Sequence, residues 1–262
     1  MQRYIPLPSE PGVLGISDDC QFLYVALTDR VRRIDLTANT SDVDIFLPGL
    51  SGAFVSGMLP LPSTPTTVII SQTNGATPGT TVVDGTKPRE QSHGMKCLAG
   101  TPDGNTIYGS TGGTFQELIL NQPLLYFGPQ IQVQNLLGGP SCPVLSGGLV
   151  YDSAGNIVDP SVPALLGRFG AWGLVRPIPE LSQTFFVGTD SDPSPYPFTA
   201  TLMSFDNATR ARVASVPLPV SLNVLTGRLI RWGSDGLGFV ALSSTPSGPV
   251  PGSQIYLFHA PH

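Results

Sequence analysis

The residues able to do chemistry are few and scattered. Only three histidines occur: His93, His259 and His262. His93 alone stands away from the C-terminal end, so a serine–histidine–carboxylate site would have to use it. Ser92 or another loop residue would serve as nucleophile and a carboxylate such as Glu90 as the orienting group. No G-x-S-x-G elbow accompanies them. Lys96, Arg176 and Arg228 complete the candidate catalytic set. Paired-carboxylate hydrolysis would need two groups converging within about 5–10 Å. The glutamates are Glu10, Glu90, Glu117 and Glu180, and most aspartates fall in turns.

Metal and cofactor signals are weak. His93 and Cys97 lie four apart where a loop runs into a strand, a spacing that does not reliably bring side chains together. His259 and His262 form H-x-x-H, two of the three or four protein ligands that zinc takes. Asp190 and Asp192 offer oxygens to calcium, but no glycine-bearing twelve-residue loop surrounds them. No G-x-G-x-x-G or Walker A run is present. Neither metal nor cofactor is expected. The segment Asp190-Ser191-Asp192-Pro193-Ser194-Pro195-Tyr196-Pro197-Phe198 sets carboxylates and aromatics on a proline-stiffened loop. Stiffening lowers the entropy cost of binding. Asp190, Asp192 and Tyr196, with Trp172, are therefore the candidate ligand contacts.

Composition narrows the classes. The net charge is −5 and the only lysines are Lys87 and Lys96. Nucleic acid needs clustered cations to displace counterions, so that partner is not expected. No apolar run approaches the ~20 residues that span a bilayer. Met1 leads into a strand-like run, Arg3 to Pro8, with no signal peptide ahead of it, as in a segment of a longer protein. The three cysteines, Cys20, Cys97 and Cys142, are too few for a disulfide framework. Cys97 and Cys142 are expected as small buried thiols, with a bridge between neighbouring units as the alternative.

The elements that must position these residues are short strands. Glycine (30) and proline (27) punctuate β-branched and aromatic runs, the pattern of an all-β chain. A repeat recurs about every 44 residues. The clearest copy has Val13–Ile16, a turn at Ser17–Cys20, Phe22–Leu27, Val31–Leu36 and Val43–Pro48. Related runs begin at Lys96, Gly173 and Arg228, and weaker ones include Val68–Ser71 and Leu149–Asp152. Asp35, Asp84, Asp159 and Asp206 each end a third strand, where a carboxylate can cap the following turn. Stacked four-stranded units bury the faces that one unit cannot. The expected architecture is a single all-β propeller of six four-stranded blades, with five or seven as alternatives. The blades fall near 13–48, 53–91, 94–128, 131–170, 173–219 and 227–262, the last completed by residues 2–7. Long loops are expected at Gln72–Thr80, Asp190–Thr199 and Ser243–Ser253.

Ile16-Ser17-Asp18-Asp19-Cys20-Gln21-Phe22-Leu23-Tyr24-Val25, followed by Ile34-Asp35-Leu36, resembles the YVTN-type bacterial propeller repeat, related in form to NHL and WD40 blades. Cys20 stands where that pattern usually has glycine. The resemblance implies a propeller found in secreted or surface proteins of bacteria and maps no catalytic motif onto this chain. The expected function is binding of a small molecule, glycan or protein by a monomeric module. The alternatives are an esterase- or lactonase-like hydrolase at the channel mouth, and a purely structural module of a longer protein.

Overall fold

The computed structural model describes residues 7–9, 12–17, 19–38, 42–47, 54–62, 64–73, 78–89, 92–93, 95, 97–101, 106–111, 114–121, 124–131, 142–162, 164–191, 198–222, 228–232, 236–245 and 248–259. They form an all-β protein of six successive antiparallel sheets. The first contains β1 (Leu14–Ile16), β2 (Phe22–Ala26), β3 (Val31–Asp35) and β4 (Asp42–Ile45). The second contains β5 (Phe54–Leu61), β6 (Thr64–Thr73), β7 (Pro78–Asp84) and β8 (Lys87–Pro88), with β9 (Ser92–His93) also pairing with β7. The third has β10 (Cys97–Gly100), β11 (Ile107–Thr111), β12 (Thr114–Asn121) and β13 (Leu124–Ile131). The fourth has β14 (Val144–Ser146), β15 (Leu149–Tyr151), β16 (Asn156–Asp159) and β17 (Ala164–Arg168). The fifth has β18 (Trp172–Ile178), β19 (Gln183–Thr189), β20 (Phe198–Asp206) and β21 (Arg212–Leu222). The sixth has β22 (Ile230–Trp232), β23 (Gly236–Thr245) and β24 (Gly248–His259). Strands pair in chain order within each sheet, except that β9 pairs with β7. Among the described residues no helix is long and apolar enough to cross a membrane.

Two compact units divide the chain, Met1–Ile131 and Gln132–His262. In the first unit, Val68, Ile70 and Val83 of sheet two pack with Tyr24, Val31 and Ile45 of sheet one. Ile69 and Val82, on the opposite face of sheet two, pack with Leu98, Ile107 and Leu118 of sheet three. The second unit repeats the scheme. Phe186, Met203 and Phe205 of sheet five pack with Tyr151 and Ile157 of sheet four. Phe185, Val187 and Leu202 pack with Leu229, Leu237 and Phe239 of sheet six. Successive side chains on a strand point to opposite faces. The unbroken runs Val68-Ile69-Ile70 and Phe185-Phe186-Val187 are therefore what a sheet buried on both sides requires.

Turn chemistry explains the repeat. Ser17 Oγ accepts from Phe22 N–H at 2.9 Å, and Thr101 Oγ1 accepts from Thr106 N–H at 3.0 Å, each over five residues. Asp35 Oδ1 accepts from the N–H groups of Thr37 and Ala38, both at 2.8 Å. Asp206 Oδ1 does the same with Ala208 and Thr209, and Asp159 Oδ1 with Ser161. These bonds hold the carboxyls below their usual range. The Ala38 N–H leads at Asp35, the Ser161 hydroxyl at Asp159 and the Thr209 N–H at Asp206. Asp84 departs from the expected cap: it accepts from Arg89 Nε at 2.7 Å and from Thr67 Oγ1 at 3.0 Å. The tyrosine of the Phe22–Val25 run is wholly buried and donates its hydroxyl to Pro65 O of sheet two at 2.8 Å.

Several expectations are corrected. Of the expected loops Gln72–Thr80 and Ser243–Ser253, residues 72–73, 78–80, 243–245 and 248–253 are strand, and residues 74–77 and 246–247 lie outside the described residues. Hairpin pairing absorbs the polar Ser, Thr and Gln residues that suggested loops. Phe198 and Thr199 likewise belong to β20. Cys97 and Cys142 are disulfide-bonded, whereas Cys20 is a free, exposed thiol. Of residues 2–7, expected to complete the sixth sheet, 2–6 lie outside the described residues, and Leu7 is not in a strand and packs against Val25, Leu27 and Ile34.

Cys20 has φ +57°, the left-handed region that costs a side-chain-bearing residue roughly 1–2 kcal/mol. Glycine loses more chain entropy on folding, so Cys20→Gly is expected to stabilise the protein by about 1 kcal/mol. A raised urea midpoint would show this. A lowered one would mean that the Cys20 side chain contributes more than its backbone strain costs.

Candidate functional site

β18 reads Trp172-Gly173-Leu174-Val175-Arg176-Pro177-Ile178. Trp172, Leu174 and Ile178 belong to the core cluster shared with sheet six. Strand alternation puts Arg176 in that same row, opposite Phe185 of β19. A guanidinium thus occupies a place that its neighbours fill with apolar side chains. Pro177 is tolerated because β18 is the first strand of its sheet, and an edge strand can spare a backbone donor. Arg176 Nε is buried without a hydrogen-bond partner. Burial, then the Arg231 charge, lowers the Arg176 pKa, and Glu180 opposes them. An arginine keeps its proton regardless.

The sixth sheet supplies the other cations. Leu229 packs with Leu174 and Ile178, and Arg231, two residues further on, faces the same way. Arg231 Nη1 donates to Glu180 Oε2 at 2.9 Å. Glu180 stands in the 3-10 turn Pro179–Leu181 that joins β18 to β19. Its carboxyl is held low first by its own backbone N–H, then by Arg231. This pair is partly exposed, and such pairs contribute little to stability. Its effect is to fix Arg231 across the seam between the two sheets. Arg228 lies in the connection leading into β22. It is exposed, yet burial and the neighbouring Arg176 charge both lower its pKa. Arg176, Arg228, Arg231 and Glu180 carry a formal excess of two positive charges.

The other sequence-predicted residues sit apart. Trp172 is only 9% exposed and packs in the core. Its cross-strand partner is Thr189, so Asp190 lies at that same end of the strand. Arg176 is four residues along, about 13 Å away at strand rise. Asp190 is exposed and ion-paired with Arg212, whose guanidinium also lies 5.5 Å from the centroid of the Phe205 ring. The His93 backbone pairs with Gly79 in sheet two; its side chain, with Lys96, Asp192 and Tyr196, lies outside the described residues. Among the described residues no three His, Cys, Asp or Glu side chains converge as a metal site. Sequence reasoning named Arg176 and Arg228 but missed Arg231 as their neighbour. The spacing Arg228-Leu229-Ile230-Arg231, with Glu180 in the preceding sheet's first turn, was the available signal.

No known protein family matches the chain, and no curated protein does. Among solved structures the chain is similar to a functionally unknown protein from Desulfotomaculum acetoxidans DSM 771. The TM-score is 0.62 at 14% identity, covering 98% of this chain and 92% of that one. That likeness shows the fold alone.

Replacing a buried charge by an apolar side chain of similar volume is often stabilising by roughly 1–4 kcal/mol. Arg176→Met is therefore expected to raise stability by about 1 kcal/mol, read as a higher melting temperature. A lower melting temperature would show that the guanidinium contributes net folding energy and that the cluster is part of the scaffold.

Proposed function

We propose that this chain is a ligand-binding β-propeller of the YVTN/NHL-like kind, from a bacterial secreted or surface protein. The reading gives it six blades, the last completed by the N-terminal strand. Support for the architecture comes from six successive meander sheets, the last with three strands among the described residues. The repeated turn bonds at Ser17 and Thr101, and at Asp35 and Asp206, support the repeat. The disulfide-bonded state of Cys97 and Cys142 fits an oxidising compartment.

The binding reading rests on one observation: Arg176 is held in a row that its neighbours Trp172, Leu174 and Ile178 fill with apolar side chains. A scaffold gains nothing from a buried guanidinium whose Nε finds no partner. A ligand site can, because a donor held in place without a partner is a preorganised contact.

The architecture is tested by deleting residues 1–6. If they supply the closing strand, the melting temperature should fall by more than about 5 °C, and the separate peptide should restore it by strand addition. An unchanged melting temperature would reject closure by these residues. The binding function is tested by thermal shift against small organic acids, neutral saccharides and peptides. At least one class should raise the melting temperature saturably; no rise with any class at millimolar concentration would sink the reading.

A further inference from the structure

We propose that the seam between sheets five and six holds ordered water that links Arg176, Gln183 and Ser204. The register of sheet five puts these residues on one face. Arg176 stands opposite Phe185 and Phe185 opposite Ser204, which makes one line across three strands. Gln183 stands opposite Ile178 in the next line of the same face. Ile178, Phe185 and Leu202 of that face pack with Leu229 of sheet six. With strands about 4.8 Å apart and alternate residues about 6.8 Å apart, the three Cα atoms lie within about 10 Å of one another.

Each of the three carries a buried polar atom without a hydrogen-bond partner in the protein: Arg176 Nε, Gln183 Oε1 and Ser204 Oγ. Buried polar atoms are costly to leave unsatisfied, and the aliphatic and aromatic side chains beside them offer no bond. Their chemistry matches water. Nε only donates, Oε1 only accepts, and the serine hydroxyl does both. A water molecule also does both, and an internal water typically makes about three such bonds. A carboxylate would suit Nε but would set its lone pairs against Oε1. Room comes from small side chains. Ser204 is wholly buried, and its cross-strand partner in β21 is Ala214, in a layer otherwise filled by Phe185 and Leu202. The way in is at the hairpin end, where Arg176 and Gln183 are only partly buried and the Pro179–Leu181 turn joins their strands. There Glu180 accepts from Arg231 Nη1 at 2.9 Å and ties the turn to sheet six. The inference goes beyond the binding reading, because it describes the protein at rest. A ligand that used Arg176 Nε would displace this water, but the water stands if no ligand binds.

A high-resolution crystal structure of the full chain tests the inference. It should show water within about 3.2 Å of Ser204 Oγ and of Arg176 Nε or Gln183 Oε1. Thermal unfolding of Ser204→Ala gives an independent reading, with opposite signs for the two cases. If water bonds the hydroxyl, its removal forfeits that bond, and the melting temperature should fall by about 2–4 °C. If the hydroxyl is unsatisfied, its removal relieves a penalty, and the melting temperature should rise. Far-ultraviolet circular dichroism confirms that the variant is folded. A crystal structure with no water between these atoms overturns the inference, and so does a melting temperature that stays level or rises. A failed ligand screen with the water in place would sink the binding function and leave the hydrated seam standing.

Discussion

The constraint behind every other feature is that a short four-stranded meander has two faces and cannot bury either by itself. Sheets two and five are each covered on both sides by the sheets that precede and follow them. Once both faces are buried, polar residues have little room except at strand ends. The low charge content of 12% follows from this, as does the concentration of aspartates in turns. It also explains why a charge such as Arg176, in the middle of a first strand, is an exception that calls for an account.

Hydrogen bonds over two to five residues, from Ser17, Thr101, Asp35, Asp159 and Asp206, define the turns. Burial of alternate side chains then defines how the sheets stack. The two levels agree, which is the condition for a sequence to specify one structure. Asp84 shows the tolerance of the scheme. It occupies the same third-strand end, yet its carboxylate pairs with Arg89 and Thr67. A different bond closes the sheet because β8 follows β7 almost at once, at Lys87.

Much of the fold was legible because its signals are local. A hydroxyl or carboxylate at a turn, followed by a β-branched run, can be read from neighbouring residues. The long hairpins β6–β7 and β23–β24 were less legible, since Ser71, Gln72 and Thr80 look like loop residues until their burial is known. There, cross-strand pairing overrides composition. The state of Cys97 and Cys142 depends on where two distant residues fall, which spacing does not encode. The site was legible only in part. Arg176 and Arg228 stand out by charge, but the approach of Arg231 to Arg176 depends on sheet stacking, and the hydrogen bond to Glu180 spans 51 residues.

The turn bonds have a consequence for how the chain finds its fold. Each closes a loop of a few residues, so little chain entropy is lost before the bond forms. Apart from β9, which pairs with β7, the described strand pairings within a sheet join neighbours in sequence, and such local pairings lower the contact order that makes all-β chains slow to fold. What remains is the docking of one preformed sheet upon the next. Within each compact unit assembly can proceed progressively along the chain, each new sheet finding its place on the face that the previous one leaves open.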